Sequence, residues 1–236
     1  MALVLPEWLA PDDVSWFESH HLGKAPYARP AAALEALPIF TWQILGEVLG
    51  SGNIVDVLTV ANGQTVPVPR PQSLADAKRL LANGASVVVR AAEQVDPGLA
   101  RLSERFERVL PGEVHVQLYA TPAGTNSYGW HWDFEDVFIA QTEGVKDYYF
   151  RANTVALDAV LGDTLDFTSF TRERSPLMSA RLIAGDWLYL PARWWHLVKC
   201  VEHSLSISVG VMSPAELGRA RRLPPGWTGK HRAGRR

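Results

Sequence analysis

Apolar residues recur at helical spacing in the first half of the chain and at every second position in the second half. Trp42, Ile44, Leu45, Val48 and Leu49 follow Thr41, which is expected to cap a short helix that Gly50 and Gly52 stop. Ser73 caps a second helix carrying Ala77, Leu80 and Leu81, with Asp76 in its first turn and Asn83-Gly84 at its end. Asp96-Pro97 opens a third, which runs to about residue 110 with Leu99, Leu102, Phe106 and Leu110 on one face. Residues 55–60 and the Val-rich 86–90 read as strands, the first ending in an Asn62-Gly63 turn. Pro67, Pro69 and Pro71 break the pattern between them, since closely spaced prolines continue neither a helix nor a central strand.

Beyond residue 113 the segments 114–121, 136–143, 146–153, 163–170, 176–183, 186–190, 194–199 and 205–212 read as strands. Turn signals at Pro122-Ala123-Gly124, Gly144, Gly162, Gly185 and Pro191 separate them. Short strands at such regular spacing predict a sandwich or barrel. The expected organisation is an α/β flank over 1–112, a barrel over 113–214 and a basic tail over 215–236. Arg219, Arg221, Arg222, Lys230, Arg232, Arg235 and Arg236 crowd that tail, which reads as a solvated end. Two strands are polar on one face only. His115, Gln117 and Tyr119 alternate with Val116, Leu118 and Ala120; Ser204, Ser206 and Ser208 alternate with Leu205, Ile207 and Val209. Such a face turns either to solvent or to a ligand held inside a barrel.

With 236 residues, 47% hydrophobic and 20% charged, the chain has the balance of a globular domain rather than of a disordered one. A formal charge of −2 gives no reason to expect nucleic acid as a partner. The single Cys200 excludes an internal disulfide framework and a cysteine-rich zinc site, and fits the cytoplasm. Met1 to Ala10 lack a basic lead-in, and no apolar run is long enough to span a bilayer, so neither signal peptide nor membrane is expected.

The chemistry concentrates in Trp130-His131-Trp132-Asp133 and Trp194-Trp195-His196. On an extended segment, residues i and i+2 point the same way, so His131 and Asp133 can share one ion. With His196 from a second strand they would form the two-histidine, one-carboxylate facial set that leaves positions open for a co-substrate and oxygen. An H-x-D alone also describes a solvated strand end. Lys146 follows Asp133 by thirteen positions (146 − 133), after a turn at Gly144, where its ammonium can pair with a distal carboxylate. By itself Lys146 also fits a surface lysine after a hairpin.

The run His131-Trp132-Asp133, Asp136-Val137-Phe138-Ile139-Ala140-Gln141, Gly144 and Lys146 resembles the core of the JmjC-type 2-oxoglutarate oxygenases, above all the ribosomal oxygenase (cupin-4) branch. It is similar also to the asparaginyl hydroxylase of hypoxia-inducible factor, whose G-D-x-L-Y-x-P-x-x-W-W-H is matched from Gly185 to His196. The resemblance implies a mainly β, double-stranded β-helix of the jelly-roll or cupin kind. It implies Fe(II) on His131, Asp133 and His196, and 2-oxoglutarate as co-substrate with its 5-carboxylate on Lys146. Tyr119 matches a tyrosine assisting that carboxylate, Gln117 falls where relatives often carry Asn, and Gly210 falls where relatives can carry Ser or Asn, so that contact is either missing or supplied by Ser208.

The activity implied is hydroxylation of a side chain in a protein or peptide, with O2 consumed and succinate and CO2 released. A ribosomal protein and a natural-product precursor peptide are the candidate substrates. Hydroxylation of a free amino acid or small molecule, N-demethylation and a non-catalytic metal-binding cupin module are the alternatives. Zinc hydrolysis is a weaker one, since no base is evident beside the triad. The ribosomal oxygenases continue into a dimerisation region and a winged-helix domain, whereas twenty-four residues follow Met212 here (236 − 212), so those substrate-binding modes do not carry over. The oligomeric state stays open, a homodimer included. Trp130, Trp132 and Trp195 are expected to shield the centre or to pack the core.

Overall fold

The computed structural model describes residues 14–52, 55–126, 128–154 and 167–220. In chain order its elements are α1 (Val14–His20), β1 (Tyr27–Arg29), α2 (Trp42–Gly50), β2 (Asp56–Ala61), β3 (Gln64–Thr65), α3 (Leu74–Ala82), β4 (Ser86–Arg90) and α4 (Pro97–Glu107). They continue as β5 (Glu113–Thr121), β6 (Asp136–Glu143), β7 (Lys146–Arg151), β8 (Met178–Leu182), β9 (Trp187–Leu190), β10 (Trp195–Cys200), β11 (Ser204–Met212) and α5 (Pro214–Ala220).

The caps form as their residues dictate. The Thr41 hydroxyl accepts from the Ile44 amide at 3.3 Å and the Ser73 hydroxyl from the Asp76 amide at 3.2 Å. Asp76 in turn accepts from the Gln72 amide at 3.0 Å, which ties the residue before the cap to the first turn. Asp96 accepts from Gly98 and Leu99 at 2.8 and 2.9 Å. The third helix stops at Glu107, short of the expected residue 110, although the Leu110 amide still bonds the Phe106 carbonyl at 2.9 Å and its side chain is buried.

Two antiparallel sheets hold the chain. The larger runs β1-β9-β6-β11-β5-β4-β2-β3, and the smaller runs β10-β7-β8. Helical residues Phe17, Leu45, Leu49, Leu99 and Phe106 pack with Val116, Leu118, Ile207, Val209 and Phe138 on one face of the larger sheet. Between the sheets a smaller apolar cluster joins Val137, Ile139 and Leu188 to Tyr148, Phe150 and Leu182. The period of two decides which side chain goes where: β6 and β9 each send alternate residues to the two clusters.

One expected strand is corrected. Of 163–170, residues 163–166 lie outside the described residues, and Phe167–Arg172 forms a 3-10 helix. Phe167 and Phe170 are three apart, which suits a three-residue turn better than a strand. Four of the described elements had no expectation: α1, β1, β3 and α5. The expected basic tail falls on α5 up to Ala220 and lies outside the described residues from 221 onward, as does the 1–10 segment. No helix among the described residues is long and apolar enough to cross a membrane.

Candidate metal centre and its cavity

His131 and His196 meet through their backbones. They form an isolated antiparallel bridge, with His131 N–H to His196 C=O at 3.1 Å and the return bond at 2.8 Å. Side chains of such a directly opposed pair leave on the same face, and the imidazole centroids are 4.1 Å apart. Residues 132 and 133 are in no regular strand, contrary to the simplest expectation, so the bridge rather than a ladder sets the pair. Asp133 completes the cluster, with Oδ2 3.7 Å from His131 Nε2 and 3.5 Å from His196 Nε2.

Each imidazole is held in one tautomer. His131 Nδ1 lies 2.8 Å from the Gly129 carbonyl and His196 Nδ1 3.0 Å from the Trp194 carbonyl. A carbonyl only accepts, so both Nδ1 atoms carry a proton, which leaves each Nε2, facing Asp133, as the ring atom that can ligate a metal. Two imidazole nitrogens and a carboxylate oxygen, all within 4.8 Å of one another, suit a divalent transition metal bound on one side.

Carboxylates outside the cluster pin the loops that carry it. Asp136 accepts from the Tyr189 hydroxyl at 2.6 Å and the Ala192 amide at 3.1 Å, tying the segment after Asp133 to the segment before His196. The Arg193 amide donates to the Asp133 carbonyl at 2.7 Å, with Arg193 in the left-handed region at φ 63°. Asp186 accepts from Ala31 at 2.8 Å and Ile183 at 3.0 Å, which joins β1 to the turn before β9.

A cavity opens beside the triad, lined also by Lys146, Tyr119, Gln117 and Ser208. Gly144 aims the lysine: its φ is 70°, and a Cβ there would collide with the His203 carbonyl. Lys146 is 3% exposed and its Nζ donates to the Ser206 hydroxyl at 2.8 Å. Burial pushes the ammonium down to about 8, offset in part by Cys200 nearby. Tyr119 lies with its ring centroid 5.6 Å from that Nζ and its hydroxyl donating to Gln117 Oε1 at 2.9 Å. Desolvation, with the Tyr128 hydroxyl and Asp133 adding to it, drives the Tyr119 hydroxyl well up, so it remains a donor.

A JmjC domain model matches residues 89–217, more than half of the chain. The chain belongs to the JmjC domain family. Relatives include a Caenorhabditis elegans protein named bifunctional lysine-specific demethylase and histidyl-hydroxylase NO66, 28% identical over 159 residues, covering 65% of this chain and 20% of that protein. Ribosomal oxygenase 1 of Danio rerio is 32% identical over 115 residues, covering 47% of this chain and 20% of that one. The Escherichia coli ribosomal oxygenase YcfD, solved with cobalt and 2-oxoglutarate, superposes with a TM-score of 0.63 at 18% identity, over 94% of this chain and 60% of that one. The chain thus spans about a fifth of these curated relatives and under two thirds of the solved one. The mainly β JmjC architecture expected from the sequence is the one found.

Within this JmjC cavity four polar side chains had been given no role at the site: Ser206, Tyr148, Glu135 and Tyr128. Three carried a signal. Ser206 shares the alternation of Ser208, Tyr148 is two beyond Lys146, and Glu135 is two beyond Asp133. Tyr128 comes from a loop and had none; desolvation pushes its hydroxyl up to about 12, against the pull of Arg90. Glu135 is a carboxylate in the triad's own cavity, which removes the absence of a base as an argument against zinc hydrolysis. The buried Lys146 remains an argument, because hydrolysis has no need of a dicarboxylate clamp.

The tryptophans behave otherwise than expected of shields, as none of the three lines the cavity. Trp195 is fully buried and donates to Glu173 at 3.0 Å, Trp132 is buried beside Phe134, and Trp130 stacks on Phe170 at 4.0 Å.

Proposed function

We propose that the chain is an Fe(II)- and 2-oxoglutarate-dependent oxygenase that hydroxylates a side chain in a protein or peptide, using O2 and releasing succinate and CO2. The observation that carries this is a single cavity shared by His131, Asp133 and His196 with the buried cation of Lys146. Along β10, His196 and the Lys146 partner Cys200 are four residues apart, about 13 Å of strand from which long side chains converge. A chelating acid with a second carboxylate suits that separation.

When bound, iron and 2-oxoglutarate supply the oxidising chemistry. His131, Asp133 and His196 would hold the metal, with Gly129 and Trp194 carbonyls keeping both imidazoles oriented. Lys146 holds the distal carboxylate through a charge-assisted hydrogen bond, and Tyr119 adds a neutral one. Gln117 orients the Tyr119 hydroxyl, and Ser208 supplies a polar floor. Val137, Ile139 and Val198 keep the remaining wall apolar and limit water.

The names of the relatives, a histidyl-hydroxylase and ribosomal oxygenases, support a protein side chain as the target. A ribosomal protein or a natural-product precursor peptide is the proposed substrate, and the cytoplasm the proposed compartment, where the buried thiol of Cys200 stays reduced. The test supplies protein, Fe(II), 2-oxoglutarate and O2 with peptides or with free amino acids, and scores succinate and products heavier by one oxygen. Coupled peptide hydroxylation is expected. Coupled hydroxylation of a free amino acid alone would move the chain to small-molecule metabolism. Formaldehyde release would favour demethylation, and absence of iron-dependent succinate would leave a non-catalytic module.

A further inference from the structure

The antiparallel bridge between His131 and His196 has two sides. Both imidazoles leave on one, into the cavity. The residues before them, Trp130 and Trp195, leave on the other, because successive side chains of an extended segment alternate, and neither lines the cavity. Whatever packs this second side decides how the bridge lies, and with it the spacing of the two Nε2 atoms.

One short segment packs there. Phe170 stacks on Trp130, with ring centroids 4.0 Å and planes 13° apart, and meets Trp195 edge-on at 5.6 Å. Such ring pairs are directional, so they fix orientation as well as fill space. Three residues on, the Glu173 carboxylate accepts from Trp195 Nε1–H at 3.0 Å. It accepts also from the Thr154 amide at 2.9 Å and the Thr154 hydroxyl at 2.6 Å, just past the end of β7. Arg151 stands opposite Trp195 in the β7–β10 ladder, places its guanidinium 5.5 Å from the Phe170 centroid and bonds the Ser175 carbonyl. The turn from Phe170 to Glu173 is thus tied to both histidine-bearing segments and to β7.

Glu173 is 2% exposed. A buried carboxylate is costly to desolvate, and the donors from Thr154 and Trp195 offset that cost. An apolar side chain would fill the same space without it. The carboxylate therefore points to a demand for orientation rather than for packing alone.

We infer that Phe170 and Glu173 are positioning residues for the metal. Acting through Trp130 and Trp195, they hold the His131–His196 bridge in one pose and keep both imidazoles turned to the ion that Asp133 shares. This rests on the metal-binding reading of the triad and extends it to a segment outside the cavity.

The test is Co(II) binding to the full chain, followed by calorimetry and by visible absorption, whose ligand-field bands report the geometry around the ion. No turnover is needed. Phe170→Leu keeps apolar bulk but removes the ring. Glu173→Gln keeps the shape but sets an NH2 donor against the donors of Thr154 and Trp195. Each variant is expected to raise the Co(II) Kd by about tenfold to a hundredfold, the range for groups that orient metal ligands, and to shift the absorption bands. A merely structural role would lower the melting temperature of the metal-free protein and leave Kd and bands at wild-type values; that result overturns the inference. If Phe170→Leu does not fold, Glu173→Gln decides on the same two readings. Loss of the fold in both variants makes the segment structural and overturns the inference too. Absence of Co(II) binding by the wild type would overturn the metal-binding reading itself, a failure distinguishable from variants that bind as the wild type does.

Discussion

The strands β5, β6 and β11 carry two faces built from alternate residues of the same chain segments. One face packs Val116, Leu118, Phe138, Ile207 and Val209 against the helices. The other holds Gln117, Tyr119, Ile139, Ser206 and Ser208 around the cavity. The apolar face gains from water-free contact and is expected to supply stability. The polar face buries hydroxyls and a carboxamide, with the Lys146 ammonium of β7 against it, groups that cost free energy to desolvate unless they are hydrogen-bonded. Nothing in the fold requires that cost, so it identifies the face that serves a guest.

Substitutions on the two faces should therefore separate. His131→Ala removes one of three metal-ligating groups, and metal binding by calorimetry is expected to vanish while the melting temperature without metal stays near wild type. Loss of the folded state in this variant would make His131 structural. Ile207→Ala, one residue from the polar face, is expected to cost about 2–5 kcal/mol of stability in denaturant titration, as for other buried large-to-Ala changes. Less than about 1 kcal/mol would contradict the division of labour.

Lys146→Ala should raise the 2-oxoglutarate Kd by about tenfold to a hundredfold, with stability unchanged or improved, because a buried ammonium is removed. An unchanged Kd would transfer the role elsewhere. The nearby arginines are engaged, Arg151 against the Phe170 ring and Arg193 with Glu216. A finer separation comes from pH. Burial lowers Lys146 to about 8, so its charge is present below that value and lost above it. A bound carboxylate favours the charged form, so binding takes up a proton near pH 8 and affinity falls as pH rises, by at most about tenfold per unit. Affinity that is flat from pH 7 to 9, or that rises with pH, would remove the ammonium from the contact.

Legibility in the sequence followed the range of the forces involved. Caps at Thr41, Ser73 and Asp96 depend on residues two to four apart, and they form at the expected positions. Period-two segments from 113 onward likewise located β5, β6, β7 and β11, since one buried face fixes alternation locally. The three-residue β1 escaped notice because its pairing with β9 joins positions far apart in the chain, Ala28 with Leu188 among them. At the site, motif spacing singled out residues that the fold brings together at His131, Asp133, His196 and Lys146. Glu135 was missed although the same i, i+2 arithmetic reaches it, because a lone acidic residue after Asp133 also fits a solvated strand start. Only Gly210 across the sheet gives its carboxylate a place inside, and that neighbour is 75 residues away (210 − 135).

The measurement that bears most directly on the two-point site is anaerobic calorimetry of 2-oxoglutarate against pyruvate, with Fe(II) present and absent. Both acids can chelate through a keto oxygen and a carboxylate, but only the first carries a second carboxylate for Lys146. The expected result is one-to-one, iron-dependent binding of 2-oxoglutarate, at least about tenfold tighter than pyruvate. Equal affinities, or binding indifferent to iron, would contradict a cavity that joins a metal cluster to a buried lysine.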